Sequence, residues 1–419
     1  MTQKKQTDIM IIGGGASGLA AAIAAKRIAP NLQVCIVERN PRVGKKILAT
    51  GNGRCNLGNT NPSLTPYHGT LTRLLPEVFA ATMDAEAFFQ SMGLYCRHET
   101  DGRLYPHSNQ AASVLDALRL TADQLQIEMF CDCAVLSLLK NAEQFVVETV
   151  CGKIKAKAVI LAAGGMAAPK TGSDGMAFSW LEKLGHGTTT FQPALVAFGT
   201  DPELVRPLKG TRIAAKVSAW SGVGKLLSEE SGEVQFTERS LSGICIMNLS
   251  AQCTAENPAV LSLNLLPEYS QEQVISLLWE TYATRTEWTL ENWLTGLFPK
   301  KVSVQLLRAS HISLPLDAPV YRVTPQDLEQ LAVQCQVWQF PVLSRGSWQE
   351  AQVTAGGISL AEVDPMLQSK MTKGLYFAGE ILDLHGDCGG YNLNWAWHSG
   401  QFAGQNAARA LMDRDQKGA

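Results

Sequence analysis

The sequence predicts an α/β fold in which a Rossmann-like nucleotide-binding domain is interrupted by an inserted domain. Three observations lead to this prediction. A β-branched run, Asp8 to Ile12, leads through a glycine turn into an alanine-rich helical segment, Leu19 to Ile28. A second strand, Gln33 to Glu38, ends in an acidic residue. The end of the chain has a similar strand-and-helix pattern, with a strand from Gly374 to Glu380 followed by a small-residue helix, Leu393 to Met412.

The composition excludes several classes of protein. Of 419 residues, 46% are hydrophobic and 18% charged, which is typical of a well-buried globular protein with about two to four domains. Lys and Arg total 36 against 38 for Asp and Glu, so a net charge of −2 supplies no field that attracts nucleic acid. The ten cysteines are scattered, and the closest pair, Cys131 and Cys133, lacks the second half of a zinc site. We therefore expect reduced thiols, no metal, no nucleic-acid partner and a cytoplasmic location.

One apolar segment, Ile9 to Ala25, invites comparison with a targeting signal. Asp8 and the glycines at fixed offsets favour a nucleotide-binding turn instead. No other stretch reaches the roughly 18 uninterrupted apolar residues that a membrane span requires. We therefore expect no membrane partner.

The glycine turn has the spacing of a dinucleotide site. Gly13 permits the sharp turn, Gly15 lets the backbone approach a pyrophosphate, and Gly18 lets the helix pack close to the strand. Glu38 follows Gly18 by 20 positions, where a carboxylate accepts hydrogen bonds from a ribose. Its charge disfavours a 2′-phosphate, so NADP does not fit this first site. The alternative is a plain glycine turn with a surface glutamate.

The segment from Gly44 to Asn56 reads as a loop rich in glycine, basic side chains and asparagine. Such a loop presents backbone N–H groups and cations to a diphosphate, so we expect it to extend the site. The alternative is a solvated basic loop. Within it, Arg54 would favour a reactive thiolate at Cys55, although no partner cysteine lies at redox-motif spacing.

The middle of the chain leaves this domain and returns to it. Three strands of an antiparallel meander end with Lys153–Ala156, and a separate buried strand, Ala158–Leu161, leads back to the nucleotide. Residues 192–348 form the insertion, with a helical part at about 271–310, and residues 1–191 and 349–419 form the discontinuous first domain. A domain shared by the two chain ends suits an extended cofactor, and FAD is that cofactor.

The whole chain resembles the bacterial flavoproteins called HI0933-like or aminoacetone-oxidase-like, within the two-dinucleotide-binding flavoprotein group. The longest motifs that carry the resemblance are GKKILATGNGRCN (44–56) and GLYFAGEILDLHGDCGGYNLNWA (374–396). The resemblance implies an FAD-binding Rossmann domain interrupted by a β-barrel-like part and a small helical part. The chain departs from the family pattern at 237–240, at Ile244 and at His385.

The resemblance also implies the site. The FAD contacts fall on Gly13, Gly15, Ser17, Gly18, Glu38, Arg39, Lys46, Gly51, Arg54, Cys55, Asn56, Gly379, Glu380, Gly390, Asn392 and Leu393. We assign four further residues to the same site: Ala16, Val135, Gly164 and Gly389. Gly389 and Gly390 precede the last helix, whose first N–H groups can stabilise negative charge on reduced flavin. His385, Asp387 and Tyr391 are candidates for the catalytic acid or base.

These observations predict an FAD-dependent oxidoreductase that transfers hydride between flavin and a small organic substrate. We favour an NAD(P)H-dependent reductase of an enone or steroid-like double bond over an amine oxidase of aminoacetone type that uses O₂. A second alternative is an RNA-modifying flavoprotein or a flavin redox sensor with Cys55 or Cys388 as reporter. FAD is expected to be non-covalent. Because no second complete glycine motif is present, NAD(P)H is expected to reach the flavin only transiently.

Overall fold

The computed structural model describes residues 5–61, 63–99, 101–141 and 144–418. The chain divides into two compact units, of which the first is Met1–Pro193 with Trp348–Ala419 and the second is Ala194–Ser347. These boundaries lie within two residues of those expected from the sequence. Residues 1–4 and 419, at the ends of the first predicted domain, lie outside the described residues.

The strands and helices follow one another along the chain. The strands are β1 (Lys5–Ile12), β2 (Val34–Val37), β3 (Gly58–Asn59), β4 (Tyr67–His68), β5 (Cys96–His98), β6 (Arg103–Pro106), β7 (Glu128–Phe130), β8 (Val135–Lys140), β9 (Phe145–Thr149), β10 (Gly152–Leu161), β11 (Gln192–Ala194), β12 (Phe198–Gly199), β13 (Arg212–Trp220), β14 (Leu226–Phe236), β15 (Ser240–Ser242), β16 (Val260–Asn264), β17 (Trp338–Pro341), β18 (Ser344–Arg345), β19 (Val353–Ala355), β20 (Leu375–Phe377) and β21 (His385–Gly386). The α-helices are α1 (Ala16–Ile28), α2 (Lys45–Ala49), α3 (Leu75–Ala80), α4 (Ala85–Gln90), α5 (Ala111–Gln124), α6 (Met176–Lys183), α7 (Pro202–Val205), α8 (Ile244–Gln252), α9 (Gln271–Thr284), α10 (Leu290–Trp293), α11 (Lys300–Ala309), α12 (Pro325–Gln336) and α13 (Tyr391–Gly418).

The first unit is built on a seven-stranded sheet of order β7-β2-β1-β10-β9-β8, with β20 also paired to β10. Four of its pairings are parallel: β7 with β2, β2 with β1, β1 with β10, and β10 with β20. The buried, β-branched residues of β1 and β2 suit the interior of such a parallel sheet. The carboxyl ends of these strands share one edge, where ligands of open α/β sheets bind.

The strand β10 differs from what the sequence predicts. The sequence predicts two strands, Lys153–Ala156 and Ala158–Leu161, but the structure has one continuous strand. Its first half pairs antiparallel with β9, and its second half pairs parallel with β20. The change from alternating to continuous burial therefore marks a change of neighbouring strand, while the chain itself stays extended.

The two glycines of α13, Gly400 and Gly404, let this helix pack directly on α1. A Cβ atom at either position would overlap a backbone carbonyl oxygen of α1, that of Ser17 or that of Ala21. The first and last helices of the chain thus form one layer against the sheet, and the two ends of the sequence build one domain. This packing places the N-termini of both helices in the first unit.

The second unit is a seven-stranded antiparallel sheet of order β17-β16-β13-β14-β15-β12-β18, covered by helices. Its edge strands, β17 and β18, are consecutive in the chain and are separated by two residues. The predicted helical part at 271–310 contains α9, α10 and α11, with Leu278 and Trp293 fully buried. Within the described residues of both units, no helix combines the length and apolarity that crossing a membrane demands.

Candidate cofactor and active site

The three motif glycines of the first turn have different surroundings. Gly13 has φ +106°, and a Cβ on Gly18 would overlap the carbonyl oxygen of Gly13, so both are required by the protein's own packing. Gly15, the N-cap of α1, has an extended backbone with φ −82°. A Cβ on Gly15 would meet no described atom within 4 Å. The absence of a side chain at Gly15 thus leaves its backbone open to a ligand at the N-terminus of α1.

Glu38 connects the glycine turn to the loop that follows β2. Its side chain is buried, with one oxygen accepting the backbone N–H of Gly14 at 2.8 Å and the other accepting that of Asn40 at 2.8 Å. A surface glutamate would make neither bond, so the alternative of a surface residue at the strand end is wrong. The carboxylate holds the two backbone segments together at the edge of the sheet.

Substituting Glu38 with glutamine tests whether the negative charge of Glu38 also contributes to FAD binding. Glutamine keeps the shape but turns an acceptor into a donor, and it removes charge-assisted hydrogen bonds worth about 1.5–3 kcal/mol each. We expect the FAD dissociation constant to rise about 10- to 100-fold. Titration of FAD-free protein with FAD measures it, and Glu182→Gln on the exposed face of α6 is the control. An unchanged constant in Glu38→Gln would restrict Glu38 to a structural role.

The segment 44–56, expected as a loop, contains one short helix, and the rest of it is turn and loop. It forms α2 and then a 3₁₀ turn, Thr50–Gly53, which contains Gly51 at φ +56°. The short helix forms because Ile47 is buried in the core, while the turn after it is exposed. The turn of helix directs Lys46 toward the strand ends.

Lys46 and Glu380 form an ion pair at the C-terminal edge of the sheet, with 2.7 Å between Nζ and Oε2. The other oxygen of Glu380 accepts the backbone N–H and the hydroxyl of Thr354, both at 2.9 Å. The Thr354 hydroxyl oxygen accepts the N–H groups of Met166 and Ala167. This network ties α2 to the segments that follow β10 and β20 and to β19, so it fixes the edge where a cofactor would lie.

The two predicted arginines already have carboxylate partners. Arg39 forms an ion pair with Asp174 at 2.6 Å, and Arg54 forms one with Glu99 while stacking on the ring of Tyr105. Arg54 therefore does not face the neighbouring thiol of Cys55. Cys55 is fully buried, and burial raises the pKa of its thiol to about 12, which disfavours a thiolate at this position.

The turn before α13 has two glycines in left-handed conformations, Gly389 at φ +132° and Gly390 at φ +99°. A Cβ on Gly390 would lie 2.6 Å from the side-chain oxygen of Asn56. That oxygen is buried and accepts no hydrogen bond within the part of the chain that the structure describes. The side chain of Asn392 holds the turn, because it bonds both the N–H and the carbonyl of Gly386.

Several other predicted residues serve packing. Gly379 approaches Ser17 closely, and its N–H is accepted by the Ser399 hydroxyl. Ala16 and Leu393 pack against the main core, and Gly164 approaches Ser173. Val135 is buried within β8. In the described residues, no group of three or more His, Cys, Asp or Glu side chains has the arrangement of a metal site.

The three catalytic candidates lie together with a histidine that the sequence analysis missed. His385 is buried in β21, and Asp387 follows it directly after Gly386. Tyr391 begins α13, and burial raises the pKa of its phenol. His68 of β4 lies opposite His385 and bonds the Asp387 carboxylate at 2.9 Å. No local motif marks His68, so only its strand pairing reveals it.

Two of these observations fit an FAD molecule. The open face of Gly15 at the N-terminus of α1 suits a pyrophosphate, whose charge the helix dipole stabilises. The buried acceptor on Asn56, beside Gly390, suits a ring that carries an N–H donor, as isoalloxazine does. The residues present therefore fit the cofactor that the sequence predicts.

Comparison with known proteins gives consistent matches over nearly the whole chain. The model of the HI0933-like protein Rossmann domain matches residues 7–406. A 3-dehydro-bile acid delta(4,6)-reductase of Clostridium scindens is 38% identical over 408 residues, covering 96% of this chain and 98% of that protein. A ribosomal RNA dihydrouridine synthase of Escherichia coli is 25% identical over 411 residues, covering 96% and 98%. The FrdA chain of E. coli quinol fumarate reductase shares the fold, with a TM-score of 0.51 at 17% identity over 98% of this chain and 71% of that one.

Proposed function

The chain belongs to the HI0933-like family of FAD-binding Rossmann proteins, and from that premise we propose that it reduces a carbon–carbon double bond conjugated to a ketone in a steroid-like substrate. The family match confirms the predicted resemblance and the predicted FAD-binding Rossmann domain. The observation that carries the substrate proposal is the 38% identity to a bile-acid reductase over 96% of the chain.

The two relatives support the reaction class from different substrates. The name of one describes reduction of double bonds near the ketone of a 3-dehydro bile acid, and that of the other describes conversion of uridine to dihydrouridine. In both, hydrogen is added across a double bond that a carbonyl polarises. A hydride at the β carbon and a proton at the α carbon complete such a reduction.

Different residues of this chain would bind FAD and stabilise negative charge on its reduced ring. Gly15 and the N-terminus of α1 would bind the pyrophosphate, and Glu38 would bind the ribose. The chemistry that FAD would supply when bound is hydride transfer to the substrate. The first N–H groups of α13, after Gly390, would stabilise negative charge on the reduced ring. We propose NAD(P)H as a transient donor, with the choice between NADH and NADPH open.

We expect the purified protein to be yellow and to release intact FAD when it is denatured. The structure offers backbone and side-chain hydrogen bonds for FAD, and the one cysteine predicted at the site, Cys55, is buried and protonated. Absorption spectra before and after acid precipitation, with chromatography of the supernatant, check this result. A colourless protein that also takes up no added FAD would contradict it.

A single experiment separates the proposed function from its alternatives. The enzyme is reduced with NADH or NADPH without oxygen, and the rate at which its flavin reoxidises is followed after mixing with one acceptor. We expect a steroid with a 3-keto-4-ene group to reoxidise the flavin faster than O₂. Faster reoxidation by O₂, with aminoacetone as reductant, would establish an amine oxidase instead. Reoxidation by none of the acceptors would favour a redox sensor.

Ribosomal RNA is a second candidate substrate, because the E. coli relative spans 96% of this chain. The net charge of −2 does not favour it, since binding a polyphosphate backbone depends on cationic side chains. We therefore propose a small-molecule partner and no nucleic acid. Unmodified ribosomal RNA is included among the acceptors, and reoxidation by RNA but not by the steroid would reverse this choice.

A further inference from the structure

A cluster of polar side chains lies beside the turn that leads into α13. β4 and β21 pair antiparallel, which places His68 opposite His385 with 5.3 Å between their ring centroids. Nε2 of His68 lies 2.9 Å from a carboxylate oxygen of Asp387, although 319 positions separate the two residues in the sequence. Asp387 precedes Gly389 by two positions, so the cluster adjoins the turn assigned to the flavin.

We propose that His68 is the acid that protonates the substrate and that Asp387 is the residue that positions it. The inference rests on the proposed reduction of a polarised double bond. Hydride from reduced FAD forms the new C–H bond at the β carbon, and the π electrons move through the α carbon to the carbonyl. The Nδ1 proton of the His68 imidazolium then forms the C–H bond at the α carbon. His68 is left neutral and regains its proton from water.

The geometry favours His68 over its neighbours as the acid. The side chain of His68 is 24% exposed and that of Asp387 is 13% exposed, so His68 is the more accessible member of the pair. His385 is 2% exposed and belongs to the buried face of the turn. The phenol of Tyr391 has its pKa raised by burial, which makes it a weaker acid.

The hydrogen bond to Asp387 fixes which nitrogen of His68 acts. Because Nε2 faces the carboxylate, Nδ1 points to the other side of the ring, and no protein acceptor for it occurs among the described residues. A carboxylate on the far nitrogen holds the ring in one orientation, as in other acid–base pairs of this kind. The backbone pairing of β4 with β21 keeps both members in register.

The charged and titratable groups around His68 come from β4 itself, from β21 and from the residues that flank β21. Asp387 and His385 come from β21 and the residue that follows it. Asp383 accepts the N–H of Thr70, two residues after His68. The phenol of Tyr67 is bonded to Asn394 of α13. Comparison of pH profiles between variants is therefore more informative than a single profile.

His68→Gln tests the assignment in two half-reactions. We expect steroid-driven reoxidation of the flavin to slow about 10²- to 10⁴-fold, the range of a general acid, while reduction by NAD(P)H and FAD content stay as in the wild type. His98→Gln is the matched control, because His98 also bonds a carboxylate, Glu86 at 3.1 Å, but is 49% exposed.

The positioning role of Asp387 is tested by two variants and by one measurement that does not depend on turnover. Asp387→Asn should slow reoxidation and shift its pH profile, and Asp387→Glu should restore part of the rate. In FAD-free protein, the ¹⁵N resonances of His68 should change with Asp387→Asn and stay unchanged with Glu86→Gln. This spectrum tests the pair even if His68→Gln does not retain FAD.

The outcomes separate this inference from the proposed function. A wild type that no enone reoxidises would refute the reduction, and the role of His68 with it. A wild type that is reoxidised while His68→Gln reacts equally fast would refute the role of His68 alone. Unchanged His68 resonances in Asp387→Asn would refute the positioning by Asp387.

Discussion

Replacing Gly15 with valine is expected to abolish FAD binding while the FAD-free protein stays folded. The backbone of Gly15 is extended, with φ −82°, so valine adopts it without strain. A Cβ there meets no described atom within 4 Å, but it would occupy the approach to the helix N-terminus that a pyrophosphate needs. We expect the FAD dissociation constant to rise at least about 100-fold, equivalent to about 2.7 kcal/mol.

Two other glycines provide the controls for this experiment. Gly18→Val should prevent folding, because its Cβ would overlap the carbonyl oxygen of Gly13. Gly187→Val should leave both folding and FAD binding intact, since the nearest atom to a Cβ there is a side-chain oxygen at 3.6 Å. Urea unfolding of FAD-free protein and titration with FAD measure the two effects separately. Retention of wild-type FAD affinity by Gly15→Val would place the cofactor elsewhere.

Replacing Gly390 with valine is expected to damage the apoprotein and the FAD site together. Its φ of +99° is strained for any side chain, and a Cβ would overlap the carbonyl oxygen of Gly58. Strain of this kind costs about 1–3 kcal/mol, and the overlap adds to it. We therefore expect the free energy of unfolding of FAD-free protein to fall by about 3 kcal/mol or more, with loss of FAD.

A different experiment is needed to test whether the N-terminus of α13 stabilises negative charge on the flavin. Since Gly390→Val is expected to disturb the fold, its effect on the flavin potential cannot be assigned to the helix dipole. Sulfite tests the dipole in the wild type, because an N5 adduct puts negative charge on the ring. We expect the adduct to form, and its absence from the FAD-loaded wild type would contradict stabilisation of that charge. A Gly390→Val protein as stable as the wild type would contradict the packing argument.

Local sequence was sufficient for the nucleotide turn. The tight turn at Gly13, the open backbone of Gly15 and the close packing at Gly18 follow from spacing alone, because a strand, a tight turn and a helix leave only certain positions without room for a side chain. The two long motifs likewise predicted the family, which the match over residues 7–406 confirms. The inserted unit was visible as a change in the pattern of strands and helices.

Local sequence was not sufficient to predict which groups the side chains contact. Arg54 stands next to Cys55 in the sequence, yet its guanidinium turns to Glu99 and leaves the thiol buried. Glu38 was expected to bind a ribose, and the structure adds its bonds to the backbone of Gly14 and Asn40. In each case the partner is chosen by packing between segments distant in the chain.

By itself, the sequence determined the fold class, the family and the glycine turn, because these depend on residues close together in the chain. Only the tertiary structure decided that Lys46 meets Glu380 and that His68 meets Asp387. These contacts join segments more than three hundred positions apart, and they exist because the pairing of β4 with β21 and the convergence of strand ends at one edge bring those segments together. Spacing along a chain carries no information about such pairs, since the register of distant strands is set only when the whole sheet packs.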